Sequence, residues 1–269
     1  MKNDAMYSKE HLLYLKDVRK KSIFVNAMRF LVLFLFLLLW ELSARFEWIN
    51  PFITSSPSRI FKTIGELYKN GTLFYHVGTT LWETLLGFAI AVVIGYSTAL
   101  LLWWSEAFRR ISEPYFVVLN ALPKIALGPL IIIWCGTGSN AIVFMTVLIG
   151  LIVAILNMLG GFMATDENKL LLLRSMGASK WQILTKLVIP SSLPTFISML
   201  KINVGLAWIG SIMGEYIVSK AGIGYLIVYG GQVFKLDLVM SAVFILCVLA
   251  SLMYALVALL EKLVIKNSK

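Results

Sequence analysis

"ATDENKLLLLRSMGASKWQILTKLVIP" (residues 164–190) is a charged, glycine-broken segment in a chain whose residues are 59% hydrophobic. Its local grammar is that of two short helices at a sharp turn. Thr165 or Asp166 can cap a helix start, and Asp166 and Glu167 suit the positive end of its dipole. Gly177 stands where a helix end needs a residue able to take positive φ. Ser179 and Gln182 have the S-x-x-Q spacing of a capping box, with Ala178 and Ile183 placed as a hydrophobic staple. Pro190 and Pro194 mark the entry to the next apolar run, because proline is tolerated in a first helical turn. The spacing therefore predicts a compact helix–turn–helix knob. The leucines at 170–173 and Trp181 give it apolar surface, which suits a groove on a cytosolic partner or, equally, the lipid interface.

Working outward, the flanks are oilier than a soluble domain of 269 residues could hide: mean hydropathy is +0.84 and only 14% of residues are charged. The composition predicts an all-α, polytopic membrane protein. A spanning helix needs about 20 mostly apolar residues. Six candidates meet this, near 23–43, 77–103, 111–135, 140–163, 192–217 and 237–261. Residues 1–22 form an N-terminal segment in which "SKEHLLYLKDVRKK" (8–21) mixes leucines with basic residues, as an interfacial helix would. Residues 23–264 form the membrane domain, interrupted by the knob at 164–190, and 265–269 a tail. Of the 24 Lys and Arg residues, 16 fall on one side of this six-span arrangement and six on the other. By the positive-inside rule both termini and the knob are cytoplasmic. The net charge of +10 thus sets orientation and does not point to nucleic acid.

Several chemistries find no support. There is no G-x-x-x-x-G-K-[ST] to grip nucleotide phosphates, no H-E-x-x-H and no C-x-x-C. Cys135 and Cys247 lie in or beside apolar runs and read as small buried hydrophobes. No cluster of His, Asp, Glu or Ser has catalytic spacing, so an enzyme is not expected. Nor is any cofactor expected on this chain.

The third span is the irregular one. "NALPKIALGPLIIIW" (120–134) puts Pro123, Gly128 and Pro129 inside an apolar stretch, where each proline removes a helical hydrogen bond. Such breaks survive in lipid where protein or a wet cavity surrounds them. Lys124 sits at the break, and a lysine mid-helix costs about 2.5–3.5 kcal/mol on insertion scales. Asn120, Lys124 and, on the fifth span, Trp208 are the candidate pathway residues. The competing reading lets Lys124 snorkel or bond a carbonyl. On the fifth span, Gly205, Gly210 and Gly214 offer close-packing surface. Glu83, Lys201 and Glu215 have no assigned role from sequence.

The knob resembles the cytoplasmic "EAA" loop of ABC importer permeases, E-A-A-x(3)-G-x(9)-I-x-L-P. Gly177 matches the glycine, and Leu187, Val188, Ile189 and Pro190 match the end conservatively. Leu171, Leu172 and Leu173 replace Glu-Ala-Ala. The resemblance extends over about 55–264 through "SSPSRIF" (55–61), "ALPKIALGPLIIIWCGTG" (121–138) and "GEYIVSKAGIGYLI" (214–227), and is to the sulfonate, taurine and nitrate branch. It implies a type I ABC importer permease fold in a prokaryotic plasma membrane. It also implies partners: an ABC ATPase dimer that carries ATP and Mg, an extracytoplasmic solute-binding protein, and a second permease copy, the same chain or a sister. Arg174, Gly177, Ala178, Ser179, Lys180 and Trp181 would then meet the ATPase. The solute would be a sulfonate, a nitrate-like anion or a vitamin precursor such as a thiamine pyrimidine or riboflavin. A stand-alone secondary transporter or channel is the alternative; it explains the spans but leaves the capped knob without a task.

Overall fold

In the computed structural model, residues 9–266 are described, and among them every regular element is a helix. The ends of the N-terminal segment and of the tail, residues 1–8 and 267–269, lie outside the described residues. The chain divides into two units, Met1–Lys62 and Thr63–Lys269.

In the first unit, α1 (Lys9–Arg45) runs unbroken through both the basic stretch and the first apolar run. Phe30, Phe34 and Phe36 are exposed along it, which in water would be a liability and in lipid costs little. α2 (Pro51–Thr54) is capped by Asn50, whose side chain accepts from the Phe52 N–H at 3.0 Å. "SSPSRIF" is anchored locally. The Glu41 carboxylate accepts from the Ser58 N–H at 3.0 Å, and the Arg59 guanidinium donates to the Pro51 carbonyl at 2.7 Å. This starts α3 (Pro57–Lys69), whose second half belongs to the second unit.

The second unit is built on α4 (Thr72–Trp104), followed by α5 (Glu106–Ala121), α6 (Gly128–Cys135) and α7 (Ser139–Met163). The knob contributes α8 (Glu167–Ser175), α9 (Lys180–Ile183) and α10 (Ile189–Ser191). Then come α11 (Leu193–Val218), α12 (Ile223–Gln232) and α13 (Leu236–Lys266). α7 lies between α4 and α11, and small residues set the spacing. An ideal Cβ on Gly87 of α4 would stand 2.5 Å from the Thr146 methyl, and one on Gly210 of α11 would stand 2.5 Å from Thr146 Cα. Thr146 is thus pinched between two glycines, the close approach that drives helix packing in lipid. Gly214 meets Ile142 in the same way, whereas Gly205 faces open space. Thr84 and Ser211 add a buried hydroxyl pair at 2.7 Å between α4 and α11.

Among the described residues, five helices are long and apolar enough to cross a membrane; a sixth span appears if α5 and the Lys124–Cys135 segment count as one. These two bend by 85°. Leu122 leaves helical geometry ahead of Pro123, and a 3₁₀ turn, Lys124–Leu127, carries the chain into α6. The residue before a proline is disfavoured in the α region, which is why the break falls there. Cys135 is half-buried and Cys247 exposed, so the expectation that both are buried does not hold for Cys247.

Candidate functional site

The knob is built largely as its caps dictate. Of the two candidate caps for α8, Asp166 takes the role, accepting from the Asn168 N–H at 2.9 Å, while Thr165 bonds the Phe162 carbonyl. α8 ends at Gly177, with φ +77°, and the Gly177 and Ala178 N–H groups bond the Arg174 and Leu173 carbonyls. Ser179 and Gln182 form the full capping box: the Gln182 N–H donates to Ser179 Oγ at 3.3 Å and the Ser179 N–H to Gln182 Oε1 at 2.8 Å. Leu184–Val188 is a π turn, so α9 runs on through it into α10. The wider turn lies just ahead of Pro190, which has no N–H to give to an ordinary helical ladder.

One side of the knob faces the bundle. Leu170, Leu173, Ala178 and Ile183 pack into the cluster formed by Val92, Ala99 and Leu102 of α4 with Met158 and Phe162 of α7. The other side is exposed and apolar: Leu171, Leu172, Met176 and Trp181 are each 59–73% accessible. Arg174, Gly177 and Ser179 are exposed beside them. Lys180 is exposed too, but it is tied to the bundle. Its ammonium donates to the Trp104 carbonyl at the end of α4 and stands 5.8 and 5.3 Å from the Trp103 and Trp104 rings. Trp181 meets Trp104 edge-on, with ring centroids 6.4 Å apart. A cavity of about 410 Å³ opens beneath, lined in part by Trp103, Glu106, Arg109, Arg174 and Lys180.

Of the pathway candidates, Asn120 and Lys124 are brought together. Asn120 is exposed near the end of α5, and the Lys124 ammonium reaches back to its carbonyl at 3.1 Å. Trp208 lies in a separate apolar cluster with Val204, Met253, Val257 and Leu81; its indole N–H has no acceptor among the described residues. Lys201 bonds Glu261 of α13 at 2.5 Å.

Sequence reasoning missed a polar clasp at the other end of α4. The buried Glu215 carboxylate accepts from the Thr80 hydroxyl at 2.6 Å and from the Gly224 N–H at 2.5 Å. The Ile223 N–H donates to Thr80 Oγ at 2.8 Å, and the Gly222 N–H to His76 Nδ1 at 3.1 Å. Three successive N–H groups at the start of α12 are thus satisfied by side chains from α4 and α11, where a helix normally uses its own N-cap. Gly222 has φ +111°, and any Cβ there would collide with the Glu215 carboxylate. The alternating glycines of "AGIG" (221–224) were the available signal, since they mark a backbone that something approaches closely.

A family profile described as "Binding-protein-dependent transport system inner membrane component" matches residues 91–266. The chain is 32% identical over 229 residues to the formylaminopyrimidine transport permease protein ThiX of Halalkalibacterium halodurans, covering 85% of this chain and 91% of that one. It is 25% identical over 228 residues to the putative aliphatic sulfonates transport permease protein SsuC of Bacillus subtilis, covering 85% and 83%. Among solved structures, a chain of the inward-facing MetNI methionine ABC transporter superposes with a TM-score of 0.64 at 19% identity, over 70% of this chain and 94% of that one. At that identity the likeness concerns the fold alone.

Proposed function

The chain belongs to the family of binding-protein-dependent transport system inner membrane components, and from this premise we propose the division of labour within its transporter. It has the type I ABC importer permease fold and is a transport subunit, not an enzyme. In our reading a second permease copy completes the translocation path, an ATPase dimer docks on the knob, and a solute-binding protein delivers solute to the opposite face. The asymmetry of the basic residues supports a cytoplasmic knob and cytoplasmic termini.

The observation that carries the coupling role is the doubly capped knob: a rigid lever with one side packed on α4 and α7 and the other open. Arg174, Gly177, Ser179 and Trp181 stand on the open side, joined by Leu171, Leu172 and Met176. Ala178 packs against the bundle, and Lys180, itself exposed, is tied to the end of α4, so we assign both to transmission. With leucine where the family pattern has glutamate, the matching ATPase groove is apolar with an acidic rim, complementary to Arg174, Lys169 and Lys186.

The solute is a small one: a sulfonate, a nitrate-like anion, or a vitamin precursor such as a thiamine pyrimidine or riboflavin. Asn120 and Lys124 at the bent span are its proposed polar contacts. Trp208 joins them only in a state that opens its cluster. The test is to purify the chain with a co-encoded ATPase and binding protein and screen that binding protein for ligands by thermal shift. ATP-dependent uptake of the hit into vesicles is then measured. Robust uptake driven by an ion gradient without any ATPase would sink the proposal in favour of a secondary transporter.

A further inference from the structure

The two polar attachments of α4 lie at opposite ends of one helix. At its C-terminus, α4 leaves carbonyl groups without intrahelical partners and carries the negative end of its dipole. Lys180, the first residue of α9, puts its ammonium on one of these, the Trp104 carbonyl, between the Trp103 and Trp104 rings. Near the other end, Thr80 and His76 hold the backbone of Gly222 and Ile223, where α11 gives way to α12. From Thr80 to Trp104 α4 is an unbroken helix, roughly 36 Å at 1.5 Å per residue. It contains no proline, and it is wedged against α7 at Gly87 and Gly95.

From this geometry we infer that Lys180 is a positioning residue: it latches the knob to the end of α4, and α4 acts as a push-rod to the Glu215–Thr80–Gly222 clasp. This rests on the coupling role given to the knob above. The chain offers a second route, since the knob also runs covalently through the π turn into α11. That route contains a widened turn and Pro190, the features at which helices bend. α4 is the straighter connection. The clasp is built to receive its motion. Thr80 Oγ bonds Glu215 and Ile223 together, so an axial shift of α4 must be followed by residues 222–224 or break these bonds. The cavity under the knob leaves room for Lys180 and Ala178 to move with it.

The test uses the intact permease–ATPase complex with ATP and vanadate as the probe, so no transported solute is required. Amide hydrogen exchange is followed in peptides covering residues 219–224. Wild type should show a vanadate-dependent change there. In Lys180→Met the change should be lost while the ATPase still co-purifies and hydrolyses ATP, and Lys180→Arg should restore it. Thr80→Val attacks the far end of the rod and should remove the same change, with the knob peptides still responding. An unaltered response at 219–224 in Lys180→Met would overturn the push-rod. So would loss of ATPase co-purification in that variant, which would make Lys180 a docking residue and leave the coupling role standing. Failure of the wild-type chain to hold the ATPase would overturn the coupling role itself, and the inference with it.

Discussion

The knob and the clasp solve one problem, how to end a helix, in opposite ways. In the knob the caps are local: Asp166 serves the amide two residues on, and Ser179 and Gln182 serve each other across three. In the clasp the N-terminus of α12 is served by Thr80 and His76, more than 140 residues away, and by Glu215. A locally capped element keeps its shape when its surroundings change. A remotely capped one exists only while its partners stay in place. The first is suited to carry a displacement and the second to respond to one.

Four substitutions sharpen that contrast, in falling order of effect. Gly222→Ala combines a positive-φ penalty with a methyl driven into the Glu215 carboxylate. It should cost roughly 3 kcal/mol or more, seen as a fall in thermal midpoint or failure to accumulate in the membrane. A wild-type midpoint would break the claim that the clasp is integral to the fold. Leu172→Asp on the open face should leave the midpoint of the permease alone within about 0.5 kcal/mol of wild type. It should weaken ATPase retention by about 2 kcal/mol, a thirtyfold change in affinity, if Leu172 anchors the apolar dock. Equal retention would remove Leu172 from the interface. Ser179→Ala takes away one local cap and should cost about 1 kcal/mol, confined to hydrogen exchange in 179–186. Lys124→Met should have the smallest effect on stability, because its bond to Asn120 is local and exposed, yet it should change solute uptake per ATP hydrolysed. An unchanged ratio would exclude Lys124 from the path.

What could be read from sequence follows the same divide. The spans near 77–103, 140–163, 192–217 and 237–261 agree with α4, α7, α11 and α13 to within a turn at most ends. Their signal is a long apolar run, which depends on nothing elsewhere in the chain. The capping box of Ser179 and the positive φ of Gly177 were legible for the same reason. The 85° bend was legible as a break at Pro123 but not as an angle, since prolines say where a helix stops and packing decides where the chain goes next. Glu215 was opaque. Its partners, Thr80 and Gly224, are set by how α4 and α12 meet, and no spacing encodes that. Lys180 was legible as a basic residue at a helix start, but its bond to the Trp104 carbonyl was not, since that contact is set by how the knob meets the end of α4.

The exposed tip of the knob has a consequence for the life of the chain before assembly. Leu171, Leu172, Met176 and Trp181 cannot be shielded by lipid if the knob projects into water, and all four are largely exposed among the described residues. An orphan copy would therefore carry a sticky beacon of the kind that chaperones and proteases recognise. We predict that its abundance in cells tracks that of its ATPase, and that a tip rewritten with Ser or Gln would accumulate without it. Equal steady-state levels with and without the ATPase would show that the beacon goes unread. If abundance does track the ATPase, the surface proposed to couple the transporter would also be the one that counts its parts.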